Sequence, residues 1–140
     1  MVSLEEAVFL DLVRTTETLS RPVTQFLKAA DLSPAQYNVL RILRGSPDGL
    51  TCGEVGNRMI TRDPDITRLL DRMEKRDLIA RNRDDKDRRV VLARITASGL
   101  DLLARLDQPV HDLHRKLLGH LGSERLQSLS DLLEACRGKA

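Results

Sequence analysis

Apolar positions fall into helical stripes for most of the chain, and residues that start and stop helices separate the stripes. Leu4, Val8, Leu12, Leu19, Val23, Phe26 and Leu27 recur at roughly helical intervals up to about Ala30, which predicts one long amphipathic helix. Ser3, with Glu6 three residues on, is a candidate capping box at its start. Pro22 removes one backbone donor inside it, so a kink is expected there. A second start signal, Ser33-Pro34-Ala35-Gln36, opens a helix through Val39, Leu40 and Leu43 that should stop at Gly45, ahead of a Pro-Asp-Gly turn. Thr51 and Glu54 repeat the box before a helix of about two turns, weakened by Gly53 and Gly56. After a break at Ile60 to Arg62, Asp63 can cap and Pro64 can take the first position of a fourth helix. Its Ile66, Leu69, Leu70 and Met73 fall at i, i+3, i+4 and i+7.

The period then changes. "LIARNR" and "RVVLARI" are short extended runs separated by the polar "DDKD", the pattern of a β-hairpin. Thr96 can cap a long helix carrying Leu103, Leu106, Val110, Leu113 and Leu117, a break is expected at Gly122 and Ser123, and Leu126, Leu129, Leu133 and Cys136 form a last stripe. A short helix, a turn, a second amphipathic helix and a hairpin are the parts of a winged helix-turn-helix. The expected fold is therefore mostly α with a small β-hairpin wing. Residues 33–96 would be the winged-helix lobe, and residues 1–32 and 97–140 dimerisation helices, all within a single domain 1–140. The end helices carry more apolar stripe than one small core needs, which an intertwined homodimer would use; packing within one chain is the alternative.

Composition agrees with a helical reading. Aromatic residues make up 2% of the chain against 41% hydrophobic, so the core must be largely leucine, which helices accept better than strands do. No stretch approaches the roughly 18 apolar residues of a membrane span, and "MVSLEEAVFL" carries acids where a secretory signal would be basic. The expectation is a cytoplasmic protein with no membrane partner. Cys52 and Cys136 lack metal-ligand spacing and read as free thiols, Cys136 as a small buried hydrophobe on its stripe. His111 and His114 stand at i, i+3, but no carboxylate or Cys completes a site, so solvated histidines, no metal and no cofactor are expected.

Charge changes the picture by position. Residues 58 to 94 hold twelve Lys or Arg against eight acids, a balance of +4, whereas the whole chain carries +2, so the remainder sums to −2. A basic middle between mildly acidic ends points to a polyanion partner, with a merely solvated helix face as the alternative. The fourth helix presents Asp65, Thr67, Arg68, Asp71, Arg72 and Lys75 opposite its apolar stripe, groups that can reach phosphates or base edges in a major groove. At the hairpin tip six charged residues run together, Asp84 to Arg89. There Lys86, Arg88 and Arg89 can meet the backbone or the neighbouring minor groove, whose negative potential favours an inserted Arg. Asp87 or Asp71 is expected to brace Arg89, as Asp does in tight turns. The DNA-binding set is thus Arg62, Asp65, Thr67, Arg68, Arg72, Lys86, Arg88 and Arg89. An enzyme would need a nucleophile and base or paired carboxylates, and no such constellation is recognisable. A winged-helix module for protein partners, without DNA, would show an apolar or acidic outer face on the fourth helix.

The blocks "LSPAQYNVLRIL", "GLTCGEVGNRM", "PDITRLLDRMEKRDLI" and "DKDRRVVLARITASG", in this order and with these gaps, resemble the MarR-type transcriptional regulators over about residues 30 to 100. The most specific part is an Asp-x-Arg in the wing, then aliphatics and a Thr-x-x-Gly entering the next helix. The resemblance implies a homodimer on a short palindromic double-stranded operator, often a repressor released by a small phenolic or lipophilic effector or by oxidation. It also implies a ligand pocket between the dimer helices and the DNA-binding lobe, for which Phe9, Val13, Tyr37 and Leu40 are the candidates. Leu126, Leu129 and Leu133 would lie in the dimer interface. Two positions depart from the family pattern. Asp77 stands where a left-handed helix end usually takes Gly, and the first helix lacks the cysteine of the peroxide-sensing branch, so that mode of sensing is not expected.

Overall fold

The computed structural model describes residues 1–138, which fall in two compact units, Met1–Leu106 and the residues from Asp107 onward. The element order among the described residues is α1 (Leu4–Ala29), α2 (Pro34–Arg44), α3 (Cys52–Arg58), α4 (Ile66–Lys75), β1 (Ile79–Arg83), β2 (Val91–Ile95), α5 (Ala97–Leu118) and α6 (Ser123–Arg137), with a single 3-10 turn, Gly119–Leu121, before α6. The mostly helical fold with one hairpin is as expected. No helix among the described residues is long and apolar enough to cross a membrane.

Side-chain caps set most of the boundaries. Ser33 accepts from the Gln36 amide while Gln36 accepts from the Ser33 amide, and Thr51 with Glu54 does the same, so two complete capping boxes open α2 and α3. At Ser3 only the forward bond, from the Glu6 amide, is present. α1 runs unbroken through Pro22. The start of α4 differs from expectation: Asp65, not Asp63, is the N-cap, accepting from the Arg68 amide, and Asp63 instead accepts from the Asp65 amide. Two carboxylates two residues apart compete for the same role, and the one that reaches a helical amide takes it.

α1 and α4 both end in a left-handed residue that is not glycine, Asp31 (φ 57°) and Asp77 (φ 58°). Each closes a Schellman turn: Leu32 donates to the Leu27 carbonyl and Leu78 to that of Met73, and both leucines are buried. The core of the first unit lies under these turns. Leu27, Val39, Leu40, Leu43, Val55, Leu70, Met73, Ile79 and Leu103 are its deepest side chains. Leu27 brings the last turn of α1 into that core. The remaining apolar positions of α1 are less covered: Leu12, Leu19, Val23 and Phe26 are half-buried, and Leu4, Val8, Phe9 and Val13 are exposed.

The hairpin is antiparallel, from Ile79↔Ile95 to Arg83↔Val91. Leu50 adds a one-residue bridge to its far edge, exchanging both backbone bonds with Ala93, so the α2–α3 connection is tied to the wing. The entry to α5 explains the Thr-x-x-Gly spacing. Thr96 donates its hydroxyl to the Asp77 carbonyl at 2.6 Å, accepts from the Gly99 amide and donates its own amide to Leu78. Gly99 sits so close to β1 that a Cβ there would lie 2.4 Å from the Leu78 oxygen.

In the second unit, α6 leaves Leu126 and Leu133 half-buried and exposes Leu129 and Leu132. Cys136 is exposed in this chain, contrary to the expectation of a buried thiol, because its face of α6 has little laid over it. His111, His114 and His120 are exposed as well.

Candidate nucleic-acid interface

α4 is amphipathic in the sense its sequence requires. Leu69, Leu70 and Met73 are buried, while Thr67, Arg68, Arg72 and Lys75 are exposed. The outer face thus carries three free-reaching cations and a hydroxyl on a helix whose other side is locked into the core. Thr67 is also within 3.7 Å of the Cys52 sulfur, through which α3 touches the front of α4. Asp65 is exposed at the start of α4, and one of its carboxylate oxygens serves as the N-cap acceptor for the Arg68 amide. Arg62 is exposed in the loop before α4, beside a cleft of about 460 Å³ that Pro34, Ala35 and Ile60 also line.

The wing tip is a seven-residue loop, since β2 begins at Val91 and leaves Arg88, Arg89 and Val90 in the turn. Backbone bonds close it from both ends: the Asp84 amide donates to the Val90 carbonyl at 2.8 Å and the Val90 amide to that of Asp87 at 3.0 Å. Inside the loop, Asp84 accepts from the Lys86 amide, and Arg83 donates to the Arg88 carbonyl. Asp87 accepts from the Arg89 amide at 3.1 Å and takes the Arg89 guanidinium on both its oxygens, at 3.1 and 3.2 Å. The Arg89 guanidinium beside it holds the Asp87 carboxyl below the ordinary aspartate range. Arg89 itself remains 91% exposed, so it is aimed by its partner and still available. The acids thus order the tip, and Lys86, Arg88 and Arg89 are exposed on it.

Asp71 does not brace Arg89. Its carboxylate pairs with Arg81 of β1, which also binds Glu74. Arg81 gives its amide to one Glu74 oxygen and its Nε and terminal nitrogen to the other, at 3.2, 3.3 and 2.9 Å. Its hydrogen bonds hold Glu74 below the ordinary carboxylate range, and Glu74 in turn raises Arg81. A second ion pair fixes the other end of α4: Arg76 donates to the Asp31 carbonyl and lies 3.6 Å from its carboxylate, joining the two Schellman turns. Sequence reasoning missed both Arg81 and Arg76. For Arg81 a signal existed: Asp71 and Glu74, three apart on one face of α4, and an arginine two residues into the following strand.

The four ligand-pocket candidates lie on α1 and α2 and differ in exposure within the single chain. Leu40 has no exposed surface, and Phe9 and Val13 stand exposed on the N-terminal half of α1, Val13 beside a shallow groove with Leu12, Thr16 and Glu17. Tyr37 is half-buried and accepts from Arg41 at 3.3 Å, with that guanidinium 5.8 Å from its ring centre. Leu40 faces the core because α2 turns Val39, Leu40 and Leu43 inward. No group of three metal-binding side chains occurs among the described residues.

Comparison with known proteins places this geometry. The MarR family model matches residues 30–90. The crystal structure of a MarR transcription factor from Planctomyces limnophilus is 37% identical, with 96% of this chain and 98% of that one covered and a TM-score of 0.73. A mutant MarR from E. coli complexed with operator DNA superposes with a TM-score of 0.83 over 93% of both chains, at 24% identity, a likeness of fold. The homoprotocatechuate degradative operon repressor of Escherichia coli is 24% identical over 131 residues, 94% of this chain and 88% of the repressor.

Proposed function

This chain belongs to the MarR family of transcriptional regulators, and from that premise we propose that it is a homodimeric repressor that binds a palindromic double-stranded operator in the cytoplasm and responds to a small phenolic or lipophilic effector. It acts by binding, with no reaction of its own. α4 enters the major groove with Thr67, Arg68 and Arg72, and the wing reaches the flanking minor groove or its phosphates with Arg89, assisted by Lys86, Arg88 and Arg62. The observation that carries the reading is the tip of the wing. Arg89 is held on both oxygens of Asp87 yet is almost wholly exposed, an arrangement that orders the tip and leaves the guanidinium aimed and available, as an inserted arginine needs. The cationic outer face of α4 on the same lobe also favours DNA over a protein partner.

Dimerisation is supported by apolar side chains that nothing in the single chain covers. Phe9 is 64% exposed on α1 and Leu132 is 65% exposed on α6, and neither helix needs such residues to fold alone. Two reading helices must sit about 34–36 Å apart to enter successive major grooves on one face of the duplex, and one lobe cannot set that distance. The effector class rests on the family resemblance and on the name of the operon repressor above.

The test is selection of duplexes from random DNA followed by titration of Arg89→Ala. The truncation should weaken operator binding more than about ten-fold, the size of a lost charge-assisted contact of about 1.5–3 kcal/mol. The melting temperature should move by no more than a few degrees. Wild-type affinity in that variant would remove the wing from the mechanism.

A further inference from the structure

The guanidinium of Arg81 joins two elements that the proposed reading uses separately. It stands on β1, is 22% exposed, and holds Asp71 and Glu74, one turn apart on α4. The backbone amide of the same residue binds Glu74 as well, so strand and helix are connected by four donor contacts from one residue. Nothing in the core requires this. β1 is already anchored by Ile79, buried beside the Schellman turn at Leu78, and α4 by Leu69, Leu70 and Met73. Three charged groups have instead been drawn together at the junction of the reading helix and the wing, where an unpaired acid would repel a phosphate.

We propose that Arg81 is a positioning residue: through Asp71 and Glu74 it fixes the wing on α4, so that the contacts of helix and wing are made in one register, and it touches no DNA itself. The inference rests on the reading of α4 and the wing as the DNA interface. Leu50 ties β2 at Ala93 to the α2–α3 connection, but a hairpin held along that one edge can still rock relative to α4, and the tip, where Arg89 lies, moves most. The clamp acts near the middle of β1 and removes that freedom before DNA arrives, so the cost of ordering the wing is not charged to binding. Arg81 is suited to this because a planar fork can hold two carboxylates at once, which a lysine ammonium does with less geometric definition.

The sign of one experiment separates positioning from electrostatics. Asp71→Asn with Glu74→Gln removes two negative charges close to the proposed interface and leaves the Arg81 cation in place. Were Arg81 there to neutralise the acids or to contact a phosphate, this double variant would bind operator equally or more tightly. Positioning predicts weaker binding, by about five-fold, within the range expected for residues coupled in one network. It also predicts that Arg89→Ala, costly in the wild type, costs less than about three-fold in the double-variant background, because a wing that is no longer placed has less to lose. Circular dichroism and thermal melting establish that the variant is folded. Should it fail to fold, Arg81→Lys retains the charge and loses the fork, and it too should bind several-fold more weakly. Unchanged or tighter binding by a folded variant overturns the proposal. If instead Arg68→Ala and Arg89→Ala both leave wild-type affinity intact, it is the DNA-interface reading that fails.

Discussion

Gly99 and Gly56 both lie inside helices, and helix propensity alone rates their replacement by alanine the same, a gain of about 0.5–1 kcal/mol. Their surroundings reverse the outcome at one of them. At Gly56, in α3, a Cβ meets nothing within 4 Å, so Gly56→Ala should realise the propensity gain. At Gly99 the Cβ would lie 2.4 Å from the Leu78 oxygen and 2.7 Å from Cγ1 of Ile95. The first of these is backbone, and it already accepts from the Thr96 amide at 3.1 Å. Relief requires the first turn of α5 to lift from the hairpin by the better part of an ångström, which would loosen the Thr96 cap at the Asp77 carbonyl. Overpacking of this kind costs about 1–3 kcal/mol, and a weakened hydrogen bond adds about 0.5–1.5 kcal/mol. Against a propensity gain of at most about 1 kcal/mol, Gly99→Ala should be destabilising by about 1–3 kcal/mol. Urea unfolding of the two variants measures both against wild type, with unchanged m-values as evidence that only stability moved. Gly99→Ala as stable as the wild type would refute the packing argument, and Gly56→Ala less stable than the wild type would refute the claim of open space.

Three further outcomes are expected. Arg68→Ala and Arg72→Ala should divide by salt dependence: a lost phosphate contact lowers the salt slope by about one, whereas a lost base contact costs about 1–3 kcal/mol of discrimination at one operator position; if affinity, specificity and slope all stay fixed in both, α4 is not the reading helix. Leu129→Asp with Leu133→Asp should give a monomer by analytical ultracentrifugation and abolish operator binding while leaving α4 and the wing untouched, and a folded monomer that binds with wild-type affinity would contradict the dimer. The Asp87–Arg89 pair should survive mild acid. Because the Asp87 carboxyl is lowered by its hydrogen bonds to Arg89, the pairing is fully present above the unfolded aspartate pKa and is lost only as pH falls through the lower folded value; a carbon-detected NMR titration should place the Asp87 midpoint below the ordinary aspartate value, and Arg89→Ala, which removes the guanidinium but keeps the amide, should raise it part of the way back.

The candidate interface was legible wherever one element carries its whole meaning. A polar face opposite Leu69, Leu70 and Met73 on α4, and an Asp two residues before an Arg in a hairpin tip, are local patterns whose geometry follows from helical period and turn chemistry. The cap of α4 was misread as Asp63 because Asp63 and Asp65 differ only in which carboxylate reaches a helical amide, a distance that residue order does not specify. Asp71 misled for a related reason. Its position on the helix is readable, but its partner lies on another element, and both Arg81 and Arg89 are near enough in sequence to be candidates.

Order, type and approximate limits of the helices and the hairpin follow from sequence alone, because caps, prolines and hydrophobic periods act within a few residues and their energies do not depend on what lies across the core. The basic middle and the free thiols were equally a matter of residue types. Tertiary structure decided what depends on distance between elements. Leu40 and, from the last turn of α1, Leu27 are both fully buried in the core of the first unit. Gly99 proved to be a contact requirement, set by the oxygen of Leu78, while Gly56 has open space around it. The pairing of Arg81 with Asp71 and Glu74, and of Arg76 with Asp31, belongs to the same class. An ion pair forms where packing of the apolar faces leaves two charges within reach, and that packing is settled by the burial of leucines far along the chain from the charges it brings together.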